Sequence, residues 1–312
     1  MSLRVVRPGV LSLLQDGGRR GVHRLGLATA GALDHEAYLY CNRLLQNPAH
    51  STAIEITAGG LHLQAQVDTF ICLTGAAMPL SINDAACDGW TVHKVCAGDS
   101  IHVDYAVSGA RAYLGVADGF AVTPVFGSTA TVLREGLGGL TGAALAAGDA
   151  LPCPAITRRR RLQLSVAERP RYQRQLTVRV VPGYQQKHFS RIEQRRFFGA
   201  PFEVSPHSDR MGYRLIGPPV ACDIAAIPSE GICAGAIQIP PDGQPIVLLA
   251  DRQTIGGYPK IGAALGLDTA RMAQLTAGSI VHFAPITPAT ARRALQLAQR
   301  FTYQRLLQEI PA

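Results

Sequence analysis

The side chains best suited to chemistry crowd into residues 205–261. Ser208-Asp209-Arg210-Met211-Gly212-Tyr213-Arg214-Leu215 opens the segment, and Ser229-Glu230-Gly231 follows. Then come Gly235-Ala236-Ile237-Gln238-Ile239-Pro240-Pro241-Asp242-Gly243-Gln244-Pro245-Ile246 and Ala250-Asp251-Arg252-Gln253-Thr254-Ile255-Gly256-Gly257-Tyr258-Pro259-Lys260. Arginine offers a planar, two-pronged grip for carboxylate or phosphate, lysine a compact point charge, and glutamine a group that donates and accepts at once. Gly and Pro turns set these residues between short strand-forming runs, and loops held by a rigid sheet are where binding and catalysis concentrate. Lysine is scarce: Lys94, Lys187 and Lys260 are the three in the chain, and the remaining 27 of its 30 basic residues are arginine.

The elements that must position these groups read mainly as strands. Short Val/Ile/Leu/Thr runs at 53–57, 61–64, 69–74, 100–104, 112–116, 176–181, 246–249 and 279–283 are separated by Gly, Pro, Asp and Asn. A small device recurs in Ala97-Gly98-Asp99-Ser100-Ile101, Ala147-Gly148-Asp149-Ala150-Leu151 and Ala277-Gly278-Ser279-Ile280. Each reads as a turn feeding a strand, because glycine tolerates positive φ. Helices are few. Asp34 can cap one over 35–46, a second fits 268–275, and a third starts at Thr287-Pro288 and extends toward 308. The charge-rich stretch near 152–175 breaks the strand rhythm, so we expect an N-terminal β domain at 1–152, an Arg-rich linker at 153–175 and a C-terminal β domain with a terminal helix at 176–312.

Several function classes lack their signatures. Gly256-Gly257-Tyr258-Pro259-Lys260 imitates a phosphate loop, but Pro259 removes a backbone donor from the cradle. Gly136-Leu137-Gly138-Gly139-Leu140-Thr141 misses the last glycine of a dinucleotide fingerprint, and His35-Glu36-Ala37-Tyr38-Leu39 lacks the second histidine of a zinc-protease helix. Cys87, His93, Cys96 and His102 have metal-ligand types at spacings that match no common finger or ribbon, so no metal is expected. The net charge of +8 is concentrated around Arg158-Arg159-Arg160-Arg161, Arg169, Arg171 and Arg174. No helix-turn-helix, finger or stacking-aromatic pattern accompanies that run, so it reads as a solvated linker and not a nucleic-acid surface. Seven scattered cysteines without a Cys-x-x-Cys pair do not form a disulfide framework, and no apolar run reaches the ~20 residues of a membrane helix. The expected location is cytoplasmic, with no membrane partner.

The motifs of 208–215 and 235–260 resemble those of the 5-oxoprolinase C subunit, also known as allophanate hydrolase subunit 2, in the biotin-dependent carboxyltransferase family. Arg7-Pro8-Gly9, Gln15-Asp16-Gly17-Gly18-Arg19, Gly31-Ala32-Leu33-Asp34, Asn42-Arg43-Leu44, Leu73-Thr74-Gly75-Ala76, Arg111-Ala112-Tyr113-Leu114 and Gly127-Ser128 extend the likeness through the N-terminal half. Gly17 stands where the family often has Leu, and Leu33 where it often has Met. The resemblance implies two tandem cyclophilin-like β-barrel domains with a few edge helices. It also implies a heteromer, a heterotetramer with the B subunit (the allophanate hydrolase subunit 1 homologue), completed by a separate A subunit. The family reaction is ATP-dependent opening of 5-oxo-L-proline to L-glutamate, with ATP used by the complex. Relatives within urea carboxylase move a carboxyl group from carboxybiotin to urea, which here requires biotin on another chain, since no Met-Lys pair is present. Other relatives are regulators that bind a kinase-inhibitor homologue.

Both reactions act on a small amide or urea stabilised by resonance, and fixed donors aimed at the developing oxyanion supply most of the rate gain, about 2.7–4 kcal/mol for one donor. In that light Arg210 is expected to clamp a carboxylate or phosphate, and Lys260 to place its charge on the oxyanion or phosphate. Asp209 and Asp34 are expected to orient cations or act as base, with Glu230 a further candidate base. Gln238 offers the donor and acceptor that a lactam demands, and Gln253, Thr254 and Tyr258 complete the expected substrate contacts. Each has a plainer reading: Arg210–Asp209 as an ion pair pinning a turn, Asp34 as the helix cap, Gln238 as a solvated strand-edge residue.

Overall fold

The computed structural model describes residues 1–311 and is mainly β, with four α-helices and a closed seven-stranded barrel. The chain divides into two compact units. The first comprises residues 1–20, 30–172 and 305–312, and the second comprises 21–29 and 173–304. Two features differ from the expected domain plan. The segment 153–172 belongs to the first unit, and the short segment 21–29 belongs to the second.

Two antiparallel sheets build the first unit. One runs in the order Ala150–Pro152, Ser2–Pro8, Leu61–Ala65, Ser100–Val103, Leu80–Ile82 and Ala85–Cys87, the other Leu11–Gln15, Ala53–Thr57, Ser108–Val116, Thr69–Ala77 and Val92–Val95. The two sheets share one core: Leu3, Val5 and Leu63 from the first meet Leu14, Ile54, Ile71 and Leu114 from the second in a single buried cluster. Each such side chain contributes roughly 1.5–3 kcal/mol by leaving water. The helix His35–Leu44 buries Ala37, Tyr40, Cys41 and Leu44 beside Phe70, Cys72 and Tyr113. The three glycine turns form as expected: Gly98, Gly148 and Gly278 have φ of 97°, 96° and 78°, feeding the strands Ser100–Val103, Ala150–Pro152 and Ile280–Pro285.

The Arg-rich stretch is anchored to its own unit. Arg159 pairs with Asp118, Arg160 with Glu309 at 2.8 Å, and Arg161 donates to the Val92 and Pro311 carbonyls at 3.4 and 3.0 Å. Leu162–Gln163 pairs with Gln308–Glu309, so the expected terminal helix stops at Gln304 and the chain ends in a short strand.

The second unit closes as a barrel in the order Gln175–Pro182, Lys260–Ala264, Ala236–Gln238, Ile246–Leu248, Gly212–Ile216, Phe202–Val204 and Ile280–Pro285, with a parallel closing pair between the first and last. Glu230–Gly231 and Ile255–Gly256 form a separate antiparallel ladder. The helix Arg191–Gly199, capped by Ser190, has no counterpart among the helices expected from the sequence; it buries Phe197 against Phe202 and Phe283.

Candidate functional site

Lys260 begins a barrel strand directly opposite Gln238, where the register shifts between Ile237 and Gln238. That shift is a bulge, a device that re-aims side chains and recurs beside functional sites. Glu230 enters from the two-stranded ladder, and its Oε1 accepts from Lys260 Nζ. A turn of 3-10 helix, Tyr184–His188, supplies two more donors: Tyr184 Oη to Glu230 Oε2 at 2.5 Å and Gln185 Nε2 to Glu230 Oε1 at 2.8 Å. Gln185 Oε1 in turn accepts the Lys260 backbone N–H at 2.8 Å. The Lys260 ammonium and the Tyr184 hydroxyl together hold the Glu230 carboxyl below its ordinary range, and the same bond pushes the Tyr184 hydroxyl up. The side chains of Lys260 and Glu230 are 12% and 31% exposed, so the ammonium is withdrawn from water while the carboxylate reaches the surface.

Gln238 is not a solvated edge residue. Its strand lies between two barrel neighbours and the residue is 2% exposed. Gln253 Nε2 donates to Gln238 Oε1 at 3.4 Å, a long contact, while Gln238 Nε2 and Gln253 Oε1 are buried without a partner. The two amides therefore keep one spare donor and one spare acceptor, whichever of them donates to the other. Gly256 lets these side chains pack against its backbone: a Cβ there would lie 2.8 Å from Gln238 Nε2 and 2.4 Å from Ile232 Cδ1. Buried polar groups are nearly always satisfied, so this donor and this acceptor are available to a further polar group.

Arg210 has a different partner from the one expected. Its Nε and Nη2 donate to Asp251 Oδ2 and Oδ1 at 2.8 and 2.9 Å, with side-chain exposures of 7% and 12%. This fork ties the loop before Gly212–Ile216 to the loop after Ile246–Leu248, assisted by Asp251 N–H donating to the Arg210 carbonyl at 3.1 Å. The charge expected to clamp a ligand is spent inside the protein. Asp209 also turns inward on its own loop, its Oδ1 accepting from Met211 and Gly212 N–H at 2.8 and 3.2 Å. Thr254 takes part through its carbonyl, which accepts the Ile232 N–H at 3.0 Å, and Tyr258 is 42% exposed.

Asp34 lies in the first unit. Its Oδ1 accepts the Ala37 N–H at 3.1 Å as the helix cap, and its Oδ2 accepts from Tyr172 Oη at 2.8 Å. Its backbone N–H donates to Tyr113 Oη, which donates to the buried Glu55 carboxylate at 2.8 Å. Both oxygens of Asp34 therefore have structural partners.

Sequence reasoning missed Tyr184 and Gln185, which sit in a turn without a motif, and Arg252, which adjoins Asp251 in a motif read for other residues. Arg252 is 5% exposed; it donates to the Ile232 and Leu249 carbonyls, each at 3.2 Å, and its Nη2 lies 3.2 Å from His23 Nε2. His23 arrives on the segment 21–29, and Thr29 Oγ1 lies 3.0 Å from the same nitrogen. Burial, then the neighbouring Arg252 charge, lowers the His23 pKa, which keeps Nε2 an acceptor for the guanidinium.

Comparison with known proteins agrees with this architecture. Residues 25–285 match the family model of the carboxyltransferase domain, subdomains A and B. The chain is 36% identical to the 5-oxoprolinase C subunit of Escherichia coli (strain K12), across 97% of both chains. It is 34% identical to the protein of that name in Haemophilus influenzae over 88% of each. A putative urea carboxylase of Emericella nidulans is 28% identical over 90% of this chain, which spans 24% of that protein. Among solved structures, the Kluyveromyces lactis urea carboxylase superposes with a TM-score of 0.89 at 25% identity, covering 99% of this chain and 30% of that one.

Proposed function

We propose, because this chain belongs to the carboxyltransferase domain family with its subdomains A and B, that it is the C subunit of an ATP-dependent 5-oxoprolinase. With the B and A subunits, in a heterotetrameric core with the former, it opens 5-oxo-L-proline to L-glutamate. The observation that carries this reading is the buried Gln238–Gln253 amide pair, with one donor and one acceptor to spare, beside the Lys260–Glu230 pair. A lactam fixes its N–H and C=O on one side of the ring, so a neighbouring donor and acceptor can grip both at once. Opening adds water at the carbonyl carbon, breaks the C–N bond and delivers the water's proton to the leaving nitrogen. In this reading the Lys260 ammonium stabilises the oxyanion, and Tyr184 adds a hydroxyl at the Glu230 carboxylate. Glu230, held ionised, is placed to accept the proton of the attacking water. Arg210 and Asp209 position the loops, and Thr254, next to Gln253 in the chain, and the exposed Tyr258 offer hydroxyls to the substrate.

ATP used by the complex would supply a phosphoryl group to activate the lactam oxygen, and no residue of this chain is assigned to hold it. The glycine run before Lys260 does not fit a phosphate cradle: the Lys260 N–H is taken by Gln185, and Gly256 is paired in the ladder. The likeness to urea carboxylases favours a second reading, carboxyl transfer from carboxybiotin on another chain to a urea-like amide, since the same amide pair would also accept urea.

The deciding experiment co-expresses the chain with its B and A subunits and follows ATP-dependent glutamate release from 5-oxo-L-proline, alongside biotin-dependent fixation of labelled bicarbonate onto urea. Glutamate release that requires all the chains supports the hydrolase reading. Bicarbonate fixation without glutamate release supports carboxyl transfer and overturns it.

A further inference from the structure

Arg252 is the conspicuous unused charge of the second unit. A guanidinium carries five N–H donors. Its Nε serves the Ile232 carbonyl, one Nη1 hydrogen the Leu249 carbonyl and one Nη2 hydrogen His23, which leaves two without an acceptor among the described residues. No carboxylate among the described residues pairs with it, although at 5% exposure it is nearly out of water. Arg210, similarly buried, is neutralised by the carboxylate of Asp251, the residue just before Arg252, so the fold supplies a counter-charge to this region and, among the described residues, none to Arg252. A buried charge without a partner is costly, and proteins keep one where a ligand completes it.

The surroundings say which ligand. Arg252 and Gln253 are consecutive, and Ile232 is their common neighbour. The Ile232 carbonyl accepts from Arg252, while its Cδ1 packs over Gly256 together with the amide nitrogens of Gln238 and Gln253. A charge reader and an amide reader therefore stand next to each other on one short segment. We propose that Arg252, held in place by His23, is the specificity group that binds a carboxylate attached to the carbon next to the substrate's amide nitrogen. The site thus selects an anionic lactam over a neutral lactam or urea. His23 is a positioning residue: its Nε2 accepts one Nη2 hydrogen, which leaves the other for the ligand. The proposal rests on the lactam reading above for the amide half of the ligand, and on Arg252 alone for the acid half.

The test is equilibrium binding to the full chain by calorimetry, with 5-oxo-L-proline, 2-pyrrolidinone (the same ring without the carboxylate) and acetate as probes. The acid lactam is expected to bind at least about tenfold more tightly than the neutral one, as hydrogen bonds to a charged group imply. Arg252→Gln should erase that preference and leave 2-pyrrolidinone within about twofold of its original affinity. His23→Gln, which keeps an acceptor, should retain the preference, and His23→Leu should weaken it. Gln238→Leu should weaken both lactams together. Equal binding of the two lactams to the wild-type chain, a comparison that needs no folded variant, overturns the carboxylate site and leaves the lactam reading standing. Acetate binding as tightly as the acid lactam, with Arg252→Gln abolishing both, keeps the carboxylate site and overturns the lactam reading. Saturation by none of the three up to about 10 mM overturns both.

Discussion

Arg210→Met separates a positioning role from a substrate clamp. Removing the guanidinium strands the Asp251 carboxylate in a site where the two side chains are 7% and 12% exposed and share two hydrogen bonds of 2.8 and 2.9 Å. Breaking a buried pair from one side costs about 3–5 kcal/mol, because the remaining charge keeps its desolvation penalty and loses its compensation. Against a total stability of about 5–15 kcal/mol, that is a large fraction. Urea unfolding followed by far-UV circular dichroism should show the midpoint falling in proportion, with an unchanged slope. The double variant Arg210→Met/Asp251→Leu should recover most of the loss, since neither charge is then buried alone. A single variant that unfolds at the wild-type midpoint yet loses turnover would overturn the positioning role and return Arg210 to that of ligand clamp.

Two further outcomes follow from the site. Gly256→Ala places a methyl group 2.4 Å from Ile232 Cδ1 and 2.8 Å from Gln238 Nε2; it should cost about 1–3 kcal/mol of stability by overpacking and block the amide pair, read as a larger fall in kcat/KM for 5-oxo-L-proline than in the urea midpoint. Glu230 is held below its ordinary pKa, first by Lys260 and then by Tyr184, so the pair's stabilisation is complete above the unfolded value of about 4.3 and fades as pH falls through the lower folded value. The stability gap between wild type and Glu230→Gln should accordingly stay constant from neutral pH down to about pH 5 and close below about pH 4, checked by urea midpoints across that range.

The barrel strands and their turns were legible in the sequence because they are local. Alternating apolar residues and glycines at positive φ need no distant partner, and Gly98, Gly148 and Gly278 do what their spacing implies. What could not be read depends on partners far along the chain. The Arg158-Arg159-Arg160-Arg161 run reads as an unanchored linker until Asp118, Glu309, Val92 and Pro311 are brought beside Arg159, Arg160 and Arg161, with Arg158 and Arg160 still exposed. Gln238 reads as a strand-edge amide until Lys260 and Ile246 flank it. Arg210 and Arg252 are indistinguishable as residue types; only the fold reveals that Asp251 neutralises one and carbonyls and a histidine hold the other. The segment 21–29 carries no composition that would send it to the second unit, and its importance rests on a single histidine nitrogen. The helix Arg191–Gly199 was missed because its one buried residue, Phe197, gives no apolar periodicity, leaving only the Ser190 cap as a signal.

In the proposed function, Lys260 and Gln238 act together on one amide. Their direct test is kcat/KM for glutamate release by the assembled complex, with Lys260→Met and Gln238→Leu compared at matched folding by urea midpoint. A loss of more than about tenfold in each, with the midpoint lowered too little to unfold the variant under assay, is the predicted result. Wild-type kcat/KM in both folded variants would contradict it.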